Sequence, residues 1–110
     1  MSPLIEPHLA AIRALCREHR VRRLDLFGSA ATDAFDPASS DLDFVVSFAN
    51  TRSPGYADRY LGFAEALEAL FGRAVDVVTD RSIRNPYFRH AVEASRQPVY
   101  AEWKGYGEID

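Results

Sequence analysis

Short apolar runs of strand-like composition alternate with segments of helical periodicity, and this alternation restricts the possible folds more than any other feature. Apolar residues spaced three and four apart predict helices before, between and after these runs. Strands that alternate with helices indicate an α/β (α+β) architecture, a small sheet covered by helices. The predicted strands are VRRLDLF, DLDFVVSF, AVDVVT and, near the end of the chain, PVYAEW.

Glycine, proline and capping residues set the expected ends of these elements. Gly72 should terminate the helix between the second and third runs, because glycine readily adopts the conformation that closes a helix. Asn85 followed by Pro86 resembles an N-cap and the first position of the next helix. The first strand should stop at Gly28, and we expect a short helix over residues 30–35 to follow it.

Composition narrows the functional classes. With 110 residues, 47% of them hydrophobic, the chain is expected to form one domain, 1–110, with a modest core. A net charge of −3 provides no broad basic surface, so direct nucleic-acid binding is not expected. The single cysteine, Cys16, is expected to be a buried thiol. Since no stretch resembles a targeting signal or a membrane span, we expect a cytoplasmic protein.

Acidic residues interrupt two of the apolar runs. In a strand, Asp41 and Asp43 would project from one face while Leu42 and Phe44 point the other way. Two carboxylates this close repel each other unless a cation lies between them, and Mg²⁺ or Mn²⁺ is the natural candidate. Asp76 interrupts AVDVVT in the same way and would join this site if the two strands are neighbours. Individually, each acid is equally consistent with a cap or a solvent-facing position.

A Gly-Ser pair follows the first predicted strand. Gly28 would let a ligand approach the backbone closely, while the Ser29 hydroxyl and the N–H groups of a following helix would bind phosphate oxygens. Gly-Ser is also a common turn and carries little information alone. Combined with the downstream acids, however, it indicates a site with phosphate on one side and metal on the other. Such a site suits phosphoryl or nucleotidyl transfer.

These motifs together resemble the signature of the nucleotidyltransferase superfamily related to DNA polymerase beta. In that signature Gly-Ser precedes Asp-x-Asp, and a third acid follows on a later strand. The resemblance extends over residues 5–79 and is greatest to the minimal nucleotidyltransferases, the MntA-like antitoxins. The matching residues are Gly28-Ser29, the eleven residues 30–40, Asp41-Leu42-Asp43 and Asp76.

The resemblance implies a role for each of these residues. Asp41 and Asp43 would bind two Mg²⁺ ions together with the triphosphate of ATP. Asp76 would bind the catalytic metal and help to deprotonate the acceptor hydroxyl. The implied nucleotide-binding residues are Gly28 and Ser29, which would hold the β and γ phosphates, and Ser40 as a weaker candidate.

The resemblance also implies a partner. Minimal members often accompany a HEPN-domain toxin, a ribonuclease, and the active ones transfer AMP from ATP to one of its tyrosines, thereby acting as the antitoxin. Two alternatives stay open. The protein would be a non-catalytic antitoxin that occludes its partner, or an adenylyltransferase that modifies a small molecule such as an antibiotic.

One departure from the family pattern concerns positive charge. Many minimal members continue Gly-Ser-Arg-Ala-Arg-Gly, whereas residues 28–33 here read GSAATD. Loss of both arginines favours the non-catalytic alternative, while retention of all three aspartates favours catalysis. Arg52 and Arg59 would restore positive charge if the loop NTRSPG folds over the site; otherwise they are surface arginines.

Overall fold

The structure, a computed structural model, describes residues 4–32 and 41–102. Among the helices in these ranges, none combines the length and apolar character that crossing a membrane requires. The α-helices are α1 (Leu9–Glu18), α2 (Tyr56–Phe71) and α3 (Pro86–Ser95). The strands are β1 (Val21–Phe27), β2 (Leu42–Phe48), β3 (Val75–Thr79) and β4 (Gln97–Ala101). Short 3₁₀ turns cover Glu6–His8, Gly28–Ala31 and Asp80–Ser82.

The four strands form one mixed sheet in the order β3-β2-β1-β4. β1 pairs antiparallel with both β2 and β4, whereas β2 and β3 run parallel. α2 connects β2 to β3, as a parallel pair requires, because the chain must return to the same end of the sheet. The predicted small sheet flanked by helices is therefore confirmed.

Local signals explain where the helices begin and end. α2 ends at Gly72, whose φ of +63° is the left-handed conformation that glycine adopts without strain. α3 begins after Asn85, whose side-chain oxygen accepts hydrogen bonds from the N–H groups of Tyr87 and Phe88 at 2.8 and 3.1 Å. Pro86 occupies the first helical position, where its missing N–H costs nothing. Both predicted boundaries are confirmed.

Alternation along the strands divides the sheet into two faces. One face packs against α1 and α2 and holds the larger core, with Leu24, Leu26, Leu42, Phe44 and Val46 buried there beside Ile12, Cys16, Phe63 and Leu67. Cys16 is buried, as predicted, and burial raises the pKa of its thiol to about 12. The opposite face, which we call the α3 face, buries Phe27, Val45 and Val92.

The short helix expected over residues 30–35 is wrong for the part that the structure describes. A 3₁₀ turn begins at Gly28 itself and ends at Ala31, and Thr32 already has extended backbone angles, φ −131° and ψ −179°. Residues 33–40, including the rest of the expected helix, lie outside the described residues. The Gly-Ser pair therefore belongs to a tight turn, and the residues described directly after it, up to Thr32, form no α-helix.

Candidate functional site

The parallel pairing of β2 with β3 brings two of the predicted site acids together. Asp43 lies directly opposite Asp76 in the register of these strands. Neighbouring strands are about 4.8 Å apart, and residues in register project from the same face. The adjacency that the sequence left open is therefore present, because α2 returns the chain to start β3 beside the start of β2.

The acids lie on the α3 face, at the end of the sheet where β2 and β3 begin. Leu42 and Phe44, on either side of Asp43, are fully buried on the opposite face, as alternation predicts. Asp43 is half-buried, whereas Asp76 is exposed. Asp41 precedes the first residue of β2 and is also exposed. A carboxylate cluster thus forms at the end of the sheet where β2 and β3 begin, and it is open to solvent.

The cluster carries negative charge that the described protein does not neutralise. Burial, followed by the charges of Asp76 and Asp41, raises the pKa of the Asp43 carboxyl. Within residues 4–32 and 41–102, neither Asp43 nor Asp76 forms an ion pair with a basic side chain. Such a cluster attracts a cation.

The Gly28–Ala31 turn lies directly against this cluster. Phe27, the last residue of β1, is in register with Asp43, so the chain turns beside the carboxylate. Gly28 has a φ of +72°, and a Cβ built on it would lie 2.8 Å from Asp43 Oδ2. The positive φ favours glycine here, and any larger residue would also displace the Asp43 carboxylate. Ser29 follows Gly28 within the same turn.

The carboxylates of this cluster fit a magnesium ion that is shared with a phosphate ligand. In the described ranges, no three acidic, histidine or cysteine side chains converge into a metal cage. Mg²⁺ is commonly held by only one or two carboxylates and completes its coordination with water and substrate phosphates. The neighbouring carboxylates beside the Gly28–Ala31 turn fit that manner of binding. They provide hard oxygen ligands and leave the other coordination positions of the ion to water and phosphate.

Arg59 does not supply the positive charge that the sequence suggested. Its guanidinium donates to the carbonyl oxygens of His19, Ala49 and Asn50 at 3.1, 2.8 and 2.9 Å. Ala49 is six residues beyond Asp43 along β2, so these contacts lie roughly 20 Å from the acids at 3.3 Å per residue. The condition under which Arg59 would add positive charge to the site is therefore not met, because the arginine connects the α1–β1 turn to the loop after β2.

Arg52 and Ser40 were further candidates for the site. Arg52 is exposed in the loop between β2 and α2, at the same far end of the sheet, so it is a surface arginine, which is the alternative that the sequence left open. Ser40 lies outside the described residues, and its expected contact with phosphate stays a prediction.

The sequence interpretation overlooked Asp25, although Asp25 interrupts the apolar run of β1 just as Asp43 interrupts β2. Asp25 is fully buried on the α3 face, where its carboxylate accepts hydrogen bonds from Arg96 and Arg23. Arg96 also pairs with Asp80 and Glu93 at 3.2 and 2.6 Å. An acid inside an apolar strand is therefore an ambiguous signal. Paired arginines distinguish the structural Asp25 from the acids at the open edge.

The fold and this arrangement of acids define the class of protein, which is a nucleotidyltransferase. The chain belongs to the nucleotidyltransferase domain family, whose pattern it matches over residues 10–99. The predicted family and enzyme class are thus confirmed.

Individual relatives agree with this assignment. The Methanocaldococcus jannaschii protein named "Putative protein adenylyltransferase MJ1379" is 33% identical, and the alignment covers 77% of this chain and 91% of that protein. A solved structure described as "Structure of putative minimal nucleotidyltransferase" is 31% identical with a TM-score of 0.69, covering 84% of this chain and 90% of that one.

A third comparison concerns the fold alone. A chain of the complex described as "tri-AMPylated Shewanella oneidensis HEPN toxin in complex with MNT antitoxin" has a TM-score of 0.62 at 20% identity. The match covers 94% of this chain and 77% of that one. The fold found in a toxin-antitoxin assembly is thus the fold of this protein.

Proposed function

We propose that this protein transfers AMP from MgATP to a tyrosine hydroxyl of a partner protein. Family membership and the name of the M. jannaschii relative support the reaction class. The observation that carries the proposal is the opposition of Asp43 and Asp76 on parallel strands, with Gly28 in contact distance of Asp43. An acidic pair beside a tight Gly-Ser turn suits a triphosphate and its metal ions.

In the proposed reaction, the acceptor hydroxyl oxygen forms a bond to the α-phosphorus of ATP. The bond from the α-phosphorus to the oxygen that bridges to the β-phosphorus breaks, and pyrophosphate leaves with that oxygen. Asp76 receives or directs the departing hydroxyl proton, a role that its exposure permits. AMP is then joined to the acceptor through a phosphodiester.

Each remaining site residue has a binding role in this proposal. Asp41, Asp43 and Asp76 would hold two Mg²⁺ ions, or Mn²⁺ in their place. When bound, the ions neutralise the charge that develops on the phosphates. Gly28 lets the phosphates approach the backbone, and the Ser29 hydroxyl donates to the β or γ phosphate. Ser40 is a further candidate for a phosphate contact.

The partner that we propose is a HEPN-type toxin, for which this protein would be the antitoxin in the cytoplasm. The fold shared with the S. oneidensis complex supports this choice. Apolar surface is also available near the site. Tyr87 is 85% exposed at the start of α3, and Phe88, 39% exposed, packs edge-on against Phe27 with ring centroids 5.9 Å apart. Since Phe27 immediately precedes Gly28, these aromatics border the proposed site.

A second candidate function is neutralisation of the partner by binding alone. Position 30 favours it, because many minimal nucleotidyltransferases have an arginine there. Ala30 is only 3% exposed and packs in the larger core. A long cationic side chain has no room at this position without a rearrangement of the turn. Triphosphate binding would then depend on the metal ions and on Ser29 to a greater degree than in those relatives.

The discriminating experiment is a labelling assay with the purified protein and the proposed HEPN-type partner. We expect label on the partner from α-³²P-ATP but not from γ-³²P-ATP, and only with Mg²⁺ present. The Asp41→Asn/Asp43→Asn double variant should transfer no label, whereas Asp58→Asn, an exposed aspartate in the first turn of α2, should be fully active. A stable complex without label from the wild type would refute transfer and support occlusion.

A further inference from the structure

The Gly28–Ala31 turn is held at both ends by side chains from one distant segment. The Gly28 N–H donates to Ser95 Oγ at 3.0 Å. At the other end of the turn, Gln97 Nε2 donates to the Ala31 carbonyl oxygen at 2.9 Å. Ser95 is the last residue of α3 and Gln97 the first of β4, so both contacts come from the α3–β4 junction.

The orientation of the serine hydroxyl is itself fixed. Ser95 Oγ donates its only hydrogen to the carbonyl oxygen of Ala91, one helical turn earlier, at 3.1 Å. Its lone pairs are therefore free to accept from Gly28. Because that N–H is already engaged, the Gly28 amide is not an available donor for phosphate, and Gly28 contributes close approach instead of a hydrogen bond.

Arg96, which lies between Ser95 and Gln97, makes more contacts than either of them. Arg96 is 9% exposed, and its guanidinium contacts the carboxylates of Asp25, Glu93 and Asp80. These contacts attach the junction to the buried middle of β1 and to the segment after β3. Three consecutive residues of the junction thus each make a defined contact, two with the turn and one with the ion-pair network.

We propose that Ser95 and Gln97 are positioning residues for nucleotide binding, which hold the Gly28–Ala31 turn so that Ser29 faces the phosphates beside Asp43. The proposal rests on the proposed function, because the turn matters to catalysis only if it binds a triphosphate. A Cβ built on Gly28 would lie 2.8 Å from Asp43 Oδ2, so a shift of the turn would change its spacing to this carboxylate. A displacement of about 1 Å between binding groups is enough to reduce a rate substantially.

The test uses Ser95→Ala and Gln97→Met in the full chain, with Ser95→Thr as the conservative variant that keeps the hydroxyl. A matched control is Ser53→Ala, because the Ser53 hydroxyl likewise donates to a backbone carbonyl but lies in the loop at the far end of the sheet. Three quantities are measured: amide hydrogen exchange at Gly28, the Kd for MgATP by calorimetry, and KM and kcat for AMP transfer.

For Ser95→Ala we expect faster exchange at Gly28 and a rise of about fivefold to tenfold in Kd and KM, the range that loss of one hydrogen bond produces. The change in kcat should be smaller, and Gln97→Met should weaken binding in the same direction. Ser95→Thr and Ser53→Ala should match the wild type.

Two results would overturn the proposal. Unchanged Gly28 exchange in Ser95→Ala would mean that the hydrogen bond does not hold the turn. Faster exchange with wild-type Kd and KM would mean that the contact is structural and does not affect the nucleotide. A wild-type protein that binds no MgATP would instead refute the proposed function, and the positioning role with it, which distinguishes that failure from the other two.

Discussion

Replacing Asp43 by asparagine should stabilise the metal-free protein while removing its response to magnesium. The carboxylates of Asp43 and Asp76 are in register on neighbouring strands, and the described residues provide no cation between them. Asparagine keeps the size of the side chain and removes the charge. Folding therefore no longer has to bring two like charges together.

The size of this effect follows from the strand spacing. Two unit charges about 5 Å apart repel each other by about 0.8 kcal/mol in water and about 3 kcal/mol at an effective dielectric constant of about 20. Asp43 is half-buried and Asp76 is exposed, so solvent screening favours the lower value. We expect a gain of about 1 kcal/mol, which corresponds to about 4 °C in Tm for a domain of this size.

The stability gained by Asp43→Asn should depend on pH, and the pKa of Asp43 gives the direction of that dependence. The pKa of Asp43 is raised in the folded state, so ionisation of this carboxyl destabilises the fold. In the wild type, the stability present at acid pH is lost as the pH rises through the folded pKa. The advantage of Asp43→Asn should therefore be full at neutral pH and shrink toward pH ~4, near the ordinary aspartate pKa.

The assay is thermal unfolding in EDTA and again with saturating MgATP. In EDTA the Asp43→Asn variant should melt above the wild type, and with MgATP the order should reverse, because ligand at about 100 times its Kd stabilises by about 2.7 kcal/mol. Asp58→Asn should show neither change. A variant that melts at or below the wild-type Tm in EDTA at neutral pH would refute the argument from charge repulsion.

Further substitutions probe the turn, the far loop and the buried ion pair. Gly28→Ala should cost at least about 1 kcal/mol in urea unfolding, since φ is positive and a methyl group would meet Asp43, and should weaken MgATP binding in calorimetry. Arg59→Ala should lower the free energy of unfolding in urea by about 2 kcal/mol and leave kcat unchanged, because its hydrogen bonds are to backbone carbonyls. A large loss of kcat would instead show that Arg59 acts in the site. Arg96→Met should destabilise by about 3 kcal/mol in the same assay, because it leaves buried Asp25 with only a partly exposed second partner; adding Asp25→Leu should recover most of the loss.

The elements that the sequence predicted correctly are those with local signals. Hydrophobic periodicity located the helices and strands, and Gly72 and Asn85 with Pro86 fixed two boundaries. Opposition of Asp43 and Asp76 was foreseen as a condition on strand order, and the parallel β2–β3 pair meets it. The prediction of a short helix after Ser29 failed in its described part, residues 30–32, where a tight turn and an extended Thr32 replace it.

Other features of the site depend on contacts between residues far apart in the chain, for which the local sequence gives no signal. Ser95 reaches Gly28 across 67 residues, and Arg96 reaches Asp25 across 71. No periodicity or spacing relates such pairs before the chain folds. Arg59 differs from these pairs: it lies within α2, after β2, so its distance from the acids at the start of β2 follows from the length of that strand, whereas its carbonyl partners do not.

The central claim is AMP transfer at the acidic edge of the sheet, and intact mass spectrometry of the co-purified partner tests it most directly. The proposed HEPN-type partner should gain the mass of one or more AMP groups when co-expressed with the wild type. It should gain none with Asp43→Asn and should be modified normally with Asp58→Asn. A partner that is unmodified by the wild type, or modified equally by Asp43→Asn, would contradict the account.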